Sequence, residues 1–154
     1  MKYYIAYGSN LNVEQMSIRC PGSKPVGTAK LQGWKLVFRG CATIEPADGH
    51  EVPVVVWKVP GADEVNLDRY EGFPIFYYKK NLAVNMVSLT TKRNRKITAM
   101  VYIMNDRFPV EPPSERYFNI ISAGYEHFGF DDNVLHEARR EALDTYMQNR
   151  TKLA

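Results

Sequence analysis

The chain has 154 residues, 45% of them hydrophobic and 24% charged, with a formal net charge of +3. That length suits one domain with a buried core, and the charge is too small to argue for a nucleic-acid or membrane partner. Its two cysteines, Cys20 and Cys41, make no disulfide framework and no metal site at a recognised spacing with the histidines, so both are expected as buried, reduced thiols.

In chain order, Tyr3-Tyr4-Ile5-Ala6-Tyr7 is aromatic, β-branched or small and predicts a buried strand. Gly8-Ser9-Asn10-Leu11 follows as a sharp turn, because Gly tolerates positive φ while Ser and Asn bond neighbouring amides. A helix then starts at Asn12-Val13-Glu14-Gln15, with Asn12 as its cap and Gln15 as the reciprocal partner, and Cys20-Pro21-Gly22 ends it. A strand, a glycine turn and a helix start in such quick succession gather free amide donors at one spot, where an anion or a polarised carbonyl fits. A tight strand-to-helix connection without a ligand is the plainer alternative.

Strands are expected over 24–31 and 33–39, with a short apolar piece at 42–45. Residues 52–59 read as a central strand with Pro53 at its beginning. Residues 62–70 suggest a short helix that stops near Gly72 and that Pro74 prevents from continuing. Two more strands, 76–87 and 97–104, are joined by the turn at 90–96, whose basic run Lys92-Arg93-Asn94-Arg95-Lys96 reads as a solvated hairpin tip. Ser114 opens a helix after Pro112-Pro113 that stops near Gly129, and Asp131 or Asp132 caps a last amphipathic helix through roughly Tyr146. The count is six or seven strands and three or four helices, the helices mostly in the C-terminal third. That is an α+β pattern, with a mixed or antiparallel sheet rolled into a small barrel within a single domain, 1–154. Lys2 is followed by only a short apolar run, so neither a signal peptide nor a membrane span is expected, and the cytoplasm is the expected location.

Glu71 is the carboxylate to single out. It closes the short helix among Leu67, Tyr70 and Phe73, and a carboxyl held among apolar rings has a raised pKa, as a general base near neutrality needs. A helix-end glutamate bonded to a nearby amide or arginine is the structural alternative. Tyr78, Tyr102 and Tyr117, on two strands and a helix, are candidates to turn hydroxyls into a cavity, or else are core aromatics. His50, His127 and His136 have no paired spacing, so no metal and no cofactor is expected. No G-x-S-x-G elbow surrounds Ser9.

Together these segments resemble the γ-glutamylcyclotransferase family. Tyr7-Gly8-Ser9-Asn10-Leu11 is similar to its Y-G-S-N-L opening, and Leu67-Asp68-Arg69-Tyr70-Glu71-Gly72 to its L-D-x-x-E-G segment. Ala42-Thr43-Ile44 and Val54-Val55-Val56-Trp57 fall where members carry similar strands. Pro112-Pro113-Ser114, Tyr117, Ile120-Ile121 and Gly124 resemble the start of the family's C-terminal helix. The match runs over roughly residues 3 to 130, and Ser9-Asn10 departs from the Y-G-S-L form of the glutathione-specific branch. The resemblance implies a small β-barrel flanked by helices with a cavity at its mouth. It implies that Tyr7, Gly8, Ser9, Asn10 and Leu11 cradle a small-molecule γ-glutamyl substrate, that Glu71 is the acid/base, and that Tyr78, Tyr102 and Tyr117 line the cavity. The implied activity releases 5-oxoproline and a free amine; a catalytically silent binding module on the same fold is the alternative. Oligomeric state is left open, with a homodimer among the options.

Overall fold

The computed structural model describes residues 1–153. Its strands are β1 (Lys2–Ala6), β2 (Lys24–Arg39), β3 (Cys41–Val59), β4 (Tyr77–Ser88) and β5 (Asn94–Met104). Its helices are α1 (Val13–Arg19), α2 (Gly61–Glu71), α3 (Glu115–Phe128) and α4 (Asn133–Leu153), with a single 3-10 turn at Ser9–Leu11. The strands close into a barrel in the order β1-β3-β2-β4-β5. All neighbours are antiparallel except β1 and β5, which meet in parallel at Tyr4↔Met100, so the barrel is mixed.

Five long strands replace the six or seven expected, and two of the four helices precede the C-terminal third. The segments 24–31 and 33–39 are one strand, as are 42–45 and 52–59. Gly33, at φ 80, sits in a register shift where the ladder jumps from Gln32↔Glu51 to Trp34↔Pro46. A positive-φ residue there bends the strand as a bulge instead of ending it. Pro53 stands well inside β3, opposite Lys30, not at its start. The β1 ladder reaches only to Val55, so one edge of β3 is free at Pro53, the setting in which a strand tolerates a missing N–H. Where helices cover the barrel, burial runs through consecutive strand residues instead of alternating: Tyr4, Ile5 and Ala6 on β1, Val54 to Trp57 on β3 and Met100 to Ile103 on β5 are all buried.

Two joints fix the parts that surround the β1 terminus. At the end of α2, Gly72 takes the left-handed conformation (φ 64), and the Phe73 amide donates to the Asp68 carbonyl at 2.9 Å. This closes the helix on Glu71. On α3, Ser114 accepts the Tyr117 amide at 3.2 Å as N-cap, and Gly124 lies so close to the 3-10 turn that a Cβ there would stand 2.6 Å from Leu11 Cβ. α4 continues past the expected Tyr146 to Leu153, burying Leu135, Ala138 and Ala142. Cys20 is buried, whereas Cys41 is exposed, against expectation, because it begins β3 directly after the Gly40 turn. Among the described residues no helix is long and apolar enough to cross a membrane.

Candidate active site

The end of β1, the starts of β3 and β4, and the end of β5 converge on a cavity of about 180 Å³, closed from the sides by α2 and α3. Six tyrosines wall it: Tyr4, Tyr7, Tyr70, Tyr77, Tyr102 and Tyr117. Gly8, Ser9 and Asn10 form one side, and Glu71 stands in the lining at the end of α2.

Each phenol is tied to the protein. Tyr7 donates to the Tyr102 carbonyl at 2.7 Å, Tyr77 to the Ala42 carbonyl at 2.8 Å, and Tyr102 to Asp68 Oδ1 at 2.5 Å. Tyr117 Oη accepts the Ala42 amide at 3.0 Å, and Tyr4 Oη accepts Asn10 Nδ2 at 2.9 Å. Tyr70 Oη and Ser9 Oγ share a bond at 2.9 Å. Burial pushes the phenols of Tyr4, Tyr7, Tyr77, Tyr102 and Tyr117 above their ordinary range, so they stay neutral hydrogen-bonding groups. Cys41 is exposed as a residue but lines the cavity, and desolvation there raises its thiol, with Glu71 adding to it.

Glu71 behaves differently. Burial drives its carboxyl up to about 7, with the Arg19 guanidinium pulling the other way. Glu71 is thus the one cavity residue whose two protonation states are both accessible near neutrality. Its raised pKa is the expected one, but of the three neighbours expected around it only Tyr70 lines the cavity. Leu67 is in the core and Phe73 is 37% exposed beside the Lys79 ammonium, while the other cavity tyrosines come from β1 and its end, β4, β5 and α3.

The turn has its own economy of donors. The Leu11 amide donates to the Gly8 carbonyl and the Asn12 amide to the Ser9 carbonyl, both at 3.0 Å. The Ser9 and Asn10 amides open the 3-10 turn, where a helical turn leaves its first N–H groups unspent. Asn12 caps α1 as expected by accepting the Gln15 amide at 3.0 Å; the Gln15 side chain does not reciprocate but accepts from Arg19 at 3.3 Å.

Of the residues singled out in the sequence, the structure brings Glu71, Tyr7, Gly8, Ser9, Asn10, Tyr102 and Tyr117 to one cavity. Two are corrected. Leu11 is fully buried against Gly124 and is absent from the lining; its part is to seat the turn on α3. Tyr78 is 43% exposed and faces away from the cavity, its place taken by Tyr77. Successive residues of a strand face opposite ways, so a slip of one exchanges inside for outside. Tyr4, Tyr77, Cys41 and Ala42 complete the lining without having been singled out for the cavity, and Tyr70 joins it beside Glu71, where it was expected. The alternation within Tyr3-Tyr4-Ile5-Ala6-Tyr7 carried no mark of which tyrosine would meet the turn. Among the described residues no cluster of His, Cys, Asp and Glu could hold a metal.

The family model described as Gamma-glutamyl cyclotransferase, AIG2-like matches residues 4–124. The Gamma-glutamylcyclotransferase of Homo sapiens is 34% identical over 138 residues, which cover 82% of this chain and 71% of that protein. The Bos taurus protein of the same name is 34% identical over 139 residues, with the same coverage. A solved structure of a Gamma-glutamyl cyclotransferase superposes with a TM-score of 0.77 at 29% identity, over 90% of this chain and 86% of the other.

Proposed function

Because the chain belongs to the Gamma-glutamyl cyclotransferase, AIG2-like family, we propose that it cyclises a small-molecule γ-glutamyl amide to 5-oxoproline and releases the free amine, with Glu71 as acid/base. The observation that carries this reading is the Glu71 carboxyl, held at about 7 in a cavity whose surrounding phenols are locked neutral. The substrate brings its own nucleophile. Its α-amine reaches the γ-carbonyl and closes a five-membered lactam, so the protein has to fold the glutamyl chain rather than supply an attacking group.

Proton transfer then falls to Glu71. The ionised carboxylate takes a proton from the α-ammonium, and the freed amine attacks the γ-carbon, forming the new C–N bond and an oxyanion. The Ser9 and Asn10 amides, unspent at the start of the 3-10 turn, are the donors offered to that oxygen, a contribution of about 3 kcal/mol per donor where such donors have been removed. The protonated Glu71 next delivers its proton to the leaving nitrogen as the old C–N bond breaks. The second proton that the ring nitrogen must shed to become the lactam N–H passes through the same carboxylate to the released amine, which departs as an ammonium. Glu71 ends ionised again, and no atom of the protein is consumed. The tyrosines orient and exclude water.

The test is release of 5-oxoproline from a panel of γ-glutamyl amino acids and γ-glutamyl amines by wild type and Glu71→Gln. Release by wild type with a loss of about 10²-fold or more in the variant is expected. Release that survives the substitution overturns the role of Glu71. Binding of the panel by wild type without any release overturns the reaction in favour of a silent binding module.

A further inference from the structure

Arg19 lies outside the cavity lining, yet it touches both pieces that must be held in register there. Its Nη1 donates to Asn10 Oδ1, in the turn that faces the substrate. Its guanidinium plane lies 3.3 Å from the centroid of the Tyr70 ring, and Tyr70 immediately precedes Glu71. Nη2 reaches Gln15 Oε1 at 3.3 Å on its own helix, which aims the fork. Tyr70 closes the loop through its hydroxyl bond to Ser9, and Asn10 passes the restraint on to Tyr4. One planar cation thus joins α1, the 3-10 turn and the end of α2.

We propose that Arg19 is a positioning residue for cyclotransfer: acting through Tyr70 and Asn10, it holds the Glu71 carboxyl and the amides of the 8–10 turn at one fixed separation. This rests on the cyclotransfer reading above. The geometry matters because the same carboxylate must meet two nitrogens while the turn meets one oxygen, and a displacement of about 1 Å is worth about 10²-fold in rate. The groups facing Glu71 from the elements around it are Tyr4 and Tyr7 from β1, Cys41 from β3, Tyr70 from α2, Tyr77 from β4, Tyr102 from β5 and Tyr117 from α3. None is a cation, and the charge that opposes the effect of burial on Glu71 comes from Arg19. Lysine cannot stand in, because it carries the charge without the plane or the fork.

The experiment measures kcat and KM against pH for wild type, Arg19→Lys and Arg19→Met, with melting curves beside them. Both variants are expected to lose about 10-fold or more in kcat/KM, most of it in kcat. In Arg19→Met the acidic limb of the profile also moves to higher pH, because removing the cation favours protonated Glu71; in Arg19→Lys the limb stays. If Arg19→Met does not fold, Arg19→Lys with an intact melting transition carries the test through the kcat loss alone. An Arg19→Lys enzyme as active as wild type overturns the proposal, as does an equal loss in both variants with no movement of the limb in Arg19→Met. Absence of 5-oxoproline from wild type is a separate failure, that of the cyclotransfer reading itself.

Discussion

Glu71 is held in a state that costs the fold something. Its carboxyl sits at about 7 in the folded protein, against about 4.3 for a free side chain. Between those values the folded chain binds more protons than the unfolded one, so stability falls as pH rises through this window. The penalty is absent below about 4 and complete above about 8, on the order of 3–4 kcal/mol at its full size. Glu71→Gln should therefore melt higher than wild type at pH 8, by several degrees at about 2–4 °C per kcal/mol. The gap should close as pH drops toward 4.5, and equal melting temperatures at both ends of that range would count against the raised carboxyl. This residue and its neighbours also mark the limit of what the sequence disclosed. Glu71 was legible because a helix-ending glutamate before glycine stands out locally. Tyr77 was not, because Tyr77 and Tyr78 are chemically identical, and only the register Tyr77↔Met104 tells which one faces inward.

At the scale of elements, the site depends on α3 standing close to the 3-10 turn. A Cβ at residue 124 would meet Leu11 at 2.6 Å from Cβ, 2.9 Å from the carbonyl carbon and 3.0 Å from its oxygen. The last two are backbone and cannot swing aside. Alanine gains about 1 kcal/mol of helix propensity over glycine, but forcing the two elements apart costs about 1–3 kcal/mol. Gly124→Ala should be destabilising by about 1 kcal/mol on balance, with a fall of about 10-fold in kcat/KM because the Ser9 and Asn10 amides move with the turn. Stability measured by denaturant melts and rates measured on the folded fraction separate the two effects. The helices were readable in advance because their ends carry chemistry: Asn12 and Ser114 as caps, Gly72 and Gly129 as left-handed stops. The hairpin of β2 and β3 was not, because Gly33 and Gly49 have the positive φ of turn residues yet lie within continuous strands. A local signal for bending does not say whether a strand ends there or bulges and goes on.

Across the whole molecule, the barrel is two hairpins with a long reach of pairing inside each and little between them. The β2–β4 ladder holds Gly27↔Ser88 and Thr28↔Val87, and the β1–β5 ladder holds Tyr4↔Met100. Closure was predictable as a class from strand count and alternation, whereas these seams involve residues far apart in sequence with no local mark. They have a consequence for how the protein can be used. The turn at 8–10 and Cys41 belong to the first hairpin's half, Tyr77 and Tyr102 to the second, and α2, bearing Glu71, is the strap between them. Catalysis is then a coincidence signal, produced only when both halves are docked. Residues 89–93 form the exposed tip of the β4–β5 hairpin, with Lys92 at φ 62, a place where chain cleavage is tolerated. A cut between Thr91 and Lys92 runs through the second hairpin and parts β4 with Tyr77 from β5 with Tyr102. The ladder from Tyr77↔Met104 to Val87↔Asn94 nevertheless gives the two fragments a long seam to re-form, and they should regain at least about a tenth of the intact rate. Fused to two proteins that bind one another, they would report that encounter as 5-oxoproline; fragments that pair by circular dichroism yet stay inactive would mean that the tip itself holds the site in register.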